Sequence, residues 1–371
     1  MALNMDRFVK IMDGIAPERL ALSWDNGGLI LKSSGRVSRV LVTVDVTTEV
    51  ISEAVEKGAD MIVAHHPILF NAVKKMSIDD ENSRLAVACI KNGISVYAAH
   101  TSADIAEGGI NDILAQRLGL IDIRALMAEK TESYKKIVVF VPVLHTGEVM
   151  SAMTEAGAGH IGSYSHCTFT AFGEGTFQPG AGTSPYIGQA GELARVQENR
   201  LESICEAGRA NAVIDAVRSA HPYEEPAIDV YDLRFPIKTH SIGRIGELKE
   251  PMALSGYIDR VKRALHVEKV RFGGDIRRTI NRVAVCGGAG GSVIGAAIKR
   301  GAEVLVTGEI KHSEFCNARE SGLCIVEAGH FDTEKCFSDF IIGCLQGRCN
   351  ALECNVEIMG AEHARCPYEY R

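Results

Sequence analysis

Residues 39–66, RVLVTVDVTTEVISEAVEKGADMIVAHH, decide how this chain is read. Arg39–Asp45 is a continuous run rich in β-branched residues, as a parallel strand buried on both faces requires. Thr48–Gly58 then spaces its apolar residues at helical intervals and closes on glycine, a common helix stop. Met61–Ala64 is a second short apolar strand, and it runs directly into His65, His66 and Pro67. A helix over Ser83–Gly93 and a strand over Ile94–Ala99 continue the rhythm, and that strand ends at His100. Alternation of this kind predicts a mostly parallel sheet covered by helices. Ligands of such sheets gather at the carboxyl ends of the strands. That is where these histidines fall.

The later part of the chain repeats the rhythm and some of the letters. Arg282-Val-Ala-Val-Cys286 lies over Arg39-Val-Leu-Val-Thr43 at an offset of 282 − 39 = 243. The same offset carries Glu56-Lys-Gly-Ala-Asp60 onto Lys299-Arg-Gly-Ala-Glu303, and Val63 onto Val306. His100-Thr-Ser-Ala-Asp104 and His330-Phe-Asp-Thr-Glu334 correspond at 330 − 100 = 230, as a shorter second loop would give. The fold class expected is therefore α/β, with two related α/β halves forming one core domain: residues 1–128 and 237–371.

Residues 129–236 break the pattern. A strand over Lys136–Val141, a helix over Gly147–Gly157, strands over Tyr164–Phe177 and Leu193–Glu206, a helix over Ala210–Ala220 and a strand over Ala227–Leu233 give the order βαββαβ. That is the ferredoxin-like arrangement. The Gly/Pro-rich stretch Gly173–Gly191 is expected at the mobile end of its central hairpin.

Composition narrows the functional classes. With 46% hydrophobic and 23% charged residues over 371 positions, the chain reads as an ordinary folded protein with room for two or three domains. A net charge of −7 without a basic cluster argues against a nucleic-acid surface. Apolar stretches fall short of the roughly 18–20 residues of a membrane span, and no signal-peptide pattern opens the sequence. Eleven cysteines without a Cys-x-x-Cys pair suit buried thiols in a reducing cytoplasm.

The two His-x3-acid pairs place a histidine and a carboxylate on one helical face, where they can grip one cation. His65, His66, Asp104, His330 and Glu334 form the expected ligand set. Five ligands exceed the three protein ligands and a water of one catalytic zinc site. Two divalent ions (Zn, Fe or Mn) sharing a carboxylate and a water would occupy them all. His100 is the candidate orienting group or general base. Thr307-Gly-Glu-Ile-Lys-His312 ends another strand and offers Glu309 and His312 to the rim. Cys286-Gly-Gly-Ala-Gly-Gly-Ser292 is either a tight structural turn or a cradle of N–H groups for phosphate. Trp24-Asp-Asn-Gly-Gly-Leu29 offers polar groups in a flexible loop, or is an ordinary turn.

Taken as a set and in order, several motifs resemble the NIF-three-like family, whose members are often labelled GTP cyclohydrolase I type 2 homologues. These are Trp24–Leu29, Asp45-Val-Thr47, His65-His-Pro-Ile-Leu-Phe70, His100–Asp104, Thr307–His312 and Gly329–Glu334. Phe172–Gly180 and His221-Pro-Tyr-Glu-Glu-Pro226 resemble the PII/CutA-like module of longer bacterial members. The resemblance implies a dinuclear metal centre at His65, His66, Asp104, His330 and Glu334. It also implies a homohexameric toroid, with its sites facing an internal cavity. The function expected is a metal-dependent hydrolase acting on a purine nucleotide such as GTP, with His100 and Glu309 handling protons. The alternative is a non-enzymatic metal-binding or regulatory hexamer whose insert senses a small molecule or binds a partner.

Overall fold

A computed structural model describes residues 3–369 except 72, 78, 128, 129, 132, 163 and 235–238. The chain divides into two compact units, Met1–Lys130 with His240–Arg371, and Thr131–Thr239. No helix among the described residues is long and apolar enough to cross a membrane.

The first unit holds two mixed sheets. In one, Glu357–Gly360, Arg39–Thr43, Met61–Ala64 and Ser95–Ala98 run parallel, and Gly28–Leu31 closes the edge antiparallel to Ser95–Ala98. Met61–Ala64 and Ser95–Ala98 are buried throughout, because helices and the chain ends cover both faces. Thr47 caps the helix Thr48–Glu56 by accepting from Val50 N–H at 3.3 Å, and Asp80 caps Glu81–Lys91 by accepting from Ser83 N–H at 2.8 Å. Gly58 and Gly93 then turn the chain at φ of 63° and 69°, conformations that cost other residues more.

The second sheet runs Arg271–Gly273, Cys324–Glu327, Val304–Glu309, Thr279–Ala289, Arg244–Ala253, Leu120–Ala125. Its three central strands are parallel and the outer ones antiparallel. Each sheet thus contains a run of three parallel strands in chain order, edged by an antiparallel strand that precedes them in sequence, and the first sheet adds Glu357–Gly360 as a fourth parallel strand. The helix Ile110–Arg117 packs Ile110 into one core cluster with Phe8, Tyr97 and Phe337, and Leu114 into the other with Val283 and Val306.

Each sheet also takes in a strand from the part of the chain that supplies most of the other. Leu120–Ala125 pairs with Arg244–Ala253 of the second sheet, and Glu357–Gly360 returns to lie beside Arg39–Thr43 of the first. Each exchange covers a sheet edge that would otherwise leave backbone groups unpaired.

The second unit is built in the order strand Tyr134–Pro142, helix Thr146–Glu155, strands Thr168–Phe177 and Ala194–Glu206, helix Ala210–Ala220, strand Ile228–Leu233. Its sheet runs Thr168–Phe177, Ala194–Glu206, Tyr134–Pro142, Ile228–Leu233, every neighbour antiparallel. Ile137, Val139 and Leu201 of the sheet meet Val149, Met153, Val213 and Val217 of the two helices. The second strand begins at Thr168 rather than Tyr164, because Gly162 and His166 take left-handed conformations and turn the chain first.

Candidate metal centre

Four histidines stand where parallel strands stop. His65 and His66 follow Met61–Ala64, and their N–H groups continue the sheet ladder to the carbonyls of Thr43 and Val44 at 3.1 and 3.0 Å. His100 follows Ser95–Ala98 and opens the short helix Thr101–Ile105. His330 opens the helix His330–Glu334 just after Cys324–Glu327, with Gly329 making the turn at φ 97°.

The helix His330–Glu334 brings Glu334 against the histidines of the other half. Glu334 Oε1 lies 3.5 Å from His65 Nε2, and Oε2 lies 3.2 Å from His66 Nε2 and 3.3 Å from His330 Nε2. Ligand atoms of His66, His330 and Glu334 form one group that could hold a metal ion, and those of His65, His66 and His100 form another. Both share His66. Asp104 falls in neither group, yet it is buried and interacts electrostatically with His65, Glu334, His100 and His66. His312 also lies outside both; its Nε2 meets Cys316 Sγ at 3.6 Å.

Each imidazole is fixed through its Nδ1. His65 Nδ1 donates to the Ala99 carbonyl at 3.1 Å, and His66 Nδ1 to Asp45 Oδ1 at 2.8 Å. His100 Nδ1 donates to Asp25 Oδ1 at 2.7 Å, and His330 Nδ1 to Glu309 Oε2 at 3.0 Å. These acceptors have no proton to give, so in the neutral imidazole the proton sits on Nδ1 and the Nε2 lone pair faces inward, ready for a cation in place of a second proton. His65 Nε2, Glu334 Oε2 and Asp104 Oδ1 are buried with no hydrogen-bond partner of proper geometry. Inward-facing imidazole nitrogens and carboxylate oxygens left unsatisfied together form a donor set suited to borderline divalent cations.

The electrostatics call for positive charge at this point. Burial alone would raise the Glu334 carboxyl, but the charge on His65 and the close approach of His330, His65 and His66 hold it well below the usual carboxylate range. Burial likewise works against protonation of His66, yet Asp45 and Glu334 outweigh it and raise the imidazole to about 10. Glu334 raises His330 to about 9 against the opposing effect of burial, with Glu309 assisting. Asp104 is raised, chiefly by burial.

Sequence reasoning missed the orienting role of Asp25 and Asp45. The Asp25 side chain is fully buried and also accepts from Thr101 N–H at 3.0 Å and from the Thr101 hydroxyl. Burial opposes its ionisation, but those bonds and His100 bring it down to about 2. Its place between Trp24 and Asn26 in the glycine-rich loop was the available signal. Trp24 and Phe70, 57% and 43% exposed, stand 5.9 Å apart and turn toward His100 at 6.0 and 6.3 Å, forming an aromatic mouth.

The glycine run makes a tight turn whose first N–H groups are bonded within the protein. Gly287 N–H is used by Asn111 Oδ1 at 2.9 Å, Gly288 N–H by Thr333 Oγ1 at 3.1 Å, and Gly290 N–H by the Glu309 carbonyl at 3.3 Å. What the run supplies is room: a Cβ on Gly288 would stand 2.2 Å from Glu334 Oε1 and 3.1 Å from His330 Nε2.

Fold and site together define an α/β protein with an imidazole–carboxylate cluster at the strand ends of two sheets. The sequence profile of Duf34/NIF3 (NGG1p interacting factor 3) matches residues 3–367. The chain belongs to that family. It is 42% identical over 328 residues to a protein of Halalkalibacterium halodurans named "GTP cyclohydrolase 1 type 2 homolog", covering 88% of each chain. A Bacillus subtilis protein of the same name is 38% identical over 370 residues, covering 100% of this chain and 99% of its own. Among solved structures, the Bacillus cereus protein related to NIF3 superposes with a TM-score of 0.87 at 40% identity, covering 100% of this chain and 99% of its own.

Proposed function

We propose that the cluster holds two divalent cations (Zn, Fe or Mn) and that the chain is a metal-dependent hydrolase acting on a purine nucleotide such as GTP. The observation that carries this reading is the set of four imidazoles locked through Nδ1, three of which (His65, His66 and His330) bring Nε2 within 3.5 Å of a Glu334 oxygen. His65, His66, Asp104, His330 and Glu334 would hold the pair. Divalent ions held there would supply Lewis-acid polarisation of a substrate and a more acidic water at neutral pH. His100, steadied by Asp25, presents Nε2 as a proton acceptor beside the cluster. Glu309 orients His330 and, being largely exposed, passes its protons to solvent. Trp24 and Phe70 offer aromatic faces for a flat heterocycle. The relatives' name, "GTP cyclohydrolase 1 type 2 homolog", supports the choice of substrate class.

The edge strands extend the case for two related halves: 271 − 28 = 243, the offset already seen between the parallel strands. The order of elements and strands in the second unit supports a ferredoxin-like insert of the PII/CutA kind, bounded near residues 129 and 236. The family reading adds a homohexamer in the cytoplasm. Metal analysis of protein purified without chelator, with nucleotide turnover followed by mass spectrometry, tests the proposal. The wild-type chain is expected to carry two ions and consume GTP; the double variant His66→Ala, Glu334→Ala is expected to do neither. Turnover by the metal-free double variant overturns the mechanism. Metal-loaded wild-type protein that leaves every purine nucleotide intact overturns the hydrolase.

A further inference from the structure

The unit Thr131–Thr239 contains none of the residues discussed as ligands, and it has a cavity of its own, about 440 Å³. That volume lies within the range of small-molecule sites, about 300–1,000 Å³. Its walls include the rings of Phe177, Tyr186 and Tyr223, and its charged groups are Glu198, Glu224 and Glu225. No lysine or arginine lines it among the described residues.

The walls are built to hold their positions. Phe177 and Tyr223 meet edge to face at 5.5 Å between centroids, and Tyr186 stands 6.4 Å from Tyr223. The Tyr223 N–H donates to His221 Nδ1 at 3.1 Å, while His221 Nε2 donates to the Phe140 carbonyl at 3.0 Å. With one ring nitrogen accepting, His221 is neutral and adds no positive charge. The Tyr223 hydroxyl donates to Glu198 Oε1 at 2.8 Å. His145 Nε2 holds the Tyr186 hydroxyl at 2.9 Å, and Glu224 accepts from Ser184 N–H at 3.3 Å, so the far side of the cavity is tied down too.

Glu198 is the telling residue. It is only 7% exposed, and no lysine or arginine lines the cavity around it. The strand opposite makes room for it: a Cβ on Gly175 would stand 2.0 Å from Glu198 Oε2, so a larger residue there would push the carboxylate from its place. A desolvated carboxylate among aromatic faces attracts cations twice over, through its own charge and through the negative faces of the rings. The same surroundings repel phosphate and carboxylate ligands.

We propose that this cavity binds a small organic cation, its ammonium or guanidinium head seated against Glu198 between Tyr186, Tyr223 and Phe177. The proposal does not depend on the metal centre, and loss of nucleotide turnover in the histidine variants has no bearing on it.

Calorimetric titration of the full-length protein with choline, with agmatine and with the uncharged isostere of choline, in which carbon replaces the quaternary nitrogen, provides the test. At least one of the two cations is expected to bind at one site per chain, and the isostere at least about tenfold more weakly than choline wherever choline binds. Glu198→Gln keeps an acceptor for the Tyr223 hydroxyl while removing the charge, and is expected to weaken cation binding about tenfold. Tyr186→Leu, at a half-exposed position, is expected to weaken it severalfold with the thermal midpoint unchanged. Failure of both cations to bind at millimolar concentration overturns the proposal. So does equal binding of choline and its isostere, or an unchanged cation affinity in Glu198→Gln.

Discussion

His66 Nε2 and Glu334 Oε2 lie 3.2 Å apart although 268 residues separate them (334 − 66), one following a strand of the first sheet and the other lying on a helix behind the second. The cluster therefore forms only when both halves are folded against each other. Any change that shifts one sheet relative to the other reaches the ligands directly.

Gly288→Ala tests how tightly Glu334 is seated. The added methyl would meet Glu334 Oε1 at 2.2 Å, and the residue would have to hold φ at +61°. The left-handed conformation alone costs about 1–2 kcal/mol. A lower thermal midpoint and loss of bound metal are expected, measured by calorimetry and elemental analysis. Full metal content would show that Glu334 can move aside and still bind.

Asp25→Asn removes the charge that orients His100 while keeping the size of the side chain. Loss of an orienting carboxylate of this kind typically costs about 10–100-fold in metal affinity or activity. A fall of that order is expected in turnover, with the overall fold unchanged by circular dichroism. An unaltered rate would leave His100 without the role assigned to it.

Trp24→Ala and Phe70→Ala act at the mouth and not at the ligands. Each is expected to leave metal content intact and to raise KM more than it lowers kcat, because stacking on a heterocycle contributes about 0.5–1.5 kcal/mol per ring contact. Loss of metal in either variant would mean that the aromatic pair supports the site structurally.

Glu53 ties the C-terminal segment to the first sheet's helix layer. Its buried carboxylate accepts from Glu362 N–H at 2.9 Å, His363 N–H at 3.1 Å and Lys57 Nζ at 2.7 Å. Burial would raise its pKa, but these bonds hold it below the ordinary glutamate value of about 4.5. A depressed folded pKa means that the unfolded chain binds the proton more readily. The stabilisation is therefore complete above about 4.5 and is lost as pH falls through the folded value. Glu53→Ala is expected to cost about 1–3 kcal/mol at neutral pH. In urea melts across the acid range, the difference from wild type should shrink as pH drops. A constant difference would remove ionisation from the explanation.

The parts of this architecture carried by local chemistry could be read from the sequence. His65, His66, His100 and His330 each follow a short apolar run, and a parallel strand can be recognised within its own few residues. The carboxylates that aim them could not be read in the same way. Asp25 and Asp45 gain their meaning from partners 75 and 21 residues away. The run Cys286–Ser292 stayed open between a phosphate cradle and a turn until the acceptors of its N–H groups were known, and those lie on Asn111, Thr333 and Glu309. Glu357–Gly360 escaped notice for a related reason. It is four residues long and ends in glycine, and only the waiting edge at Arg39–Thr43 makes it a strand.

That last strand governs the order of assembly. A chain leaving the ribosome has made every other strand of both sheets before 357–360 can dock beside 39–43, so the first sheet stays open on one side until then. Its neighbour-seeking edge is exposed for the whole interval, a period in which nascent chains are prone to aggregate or to enlist chaperones.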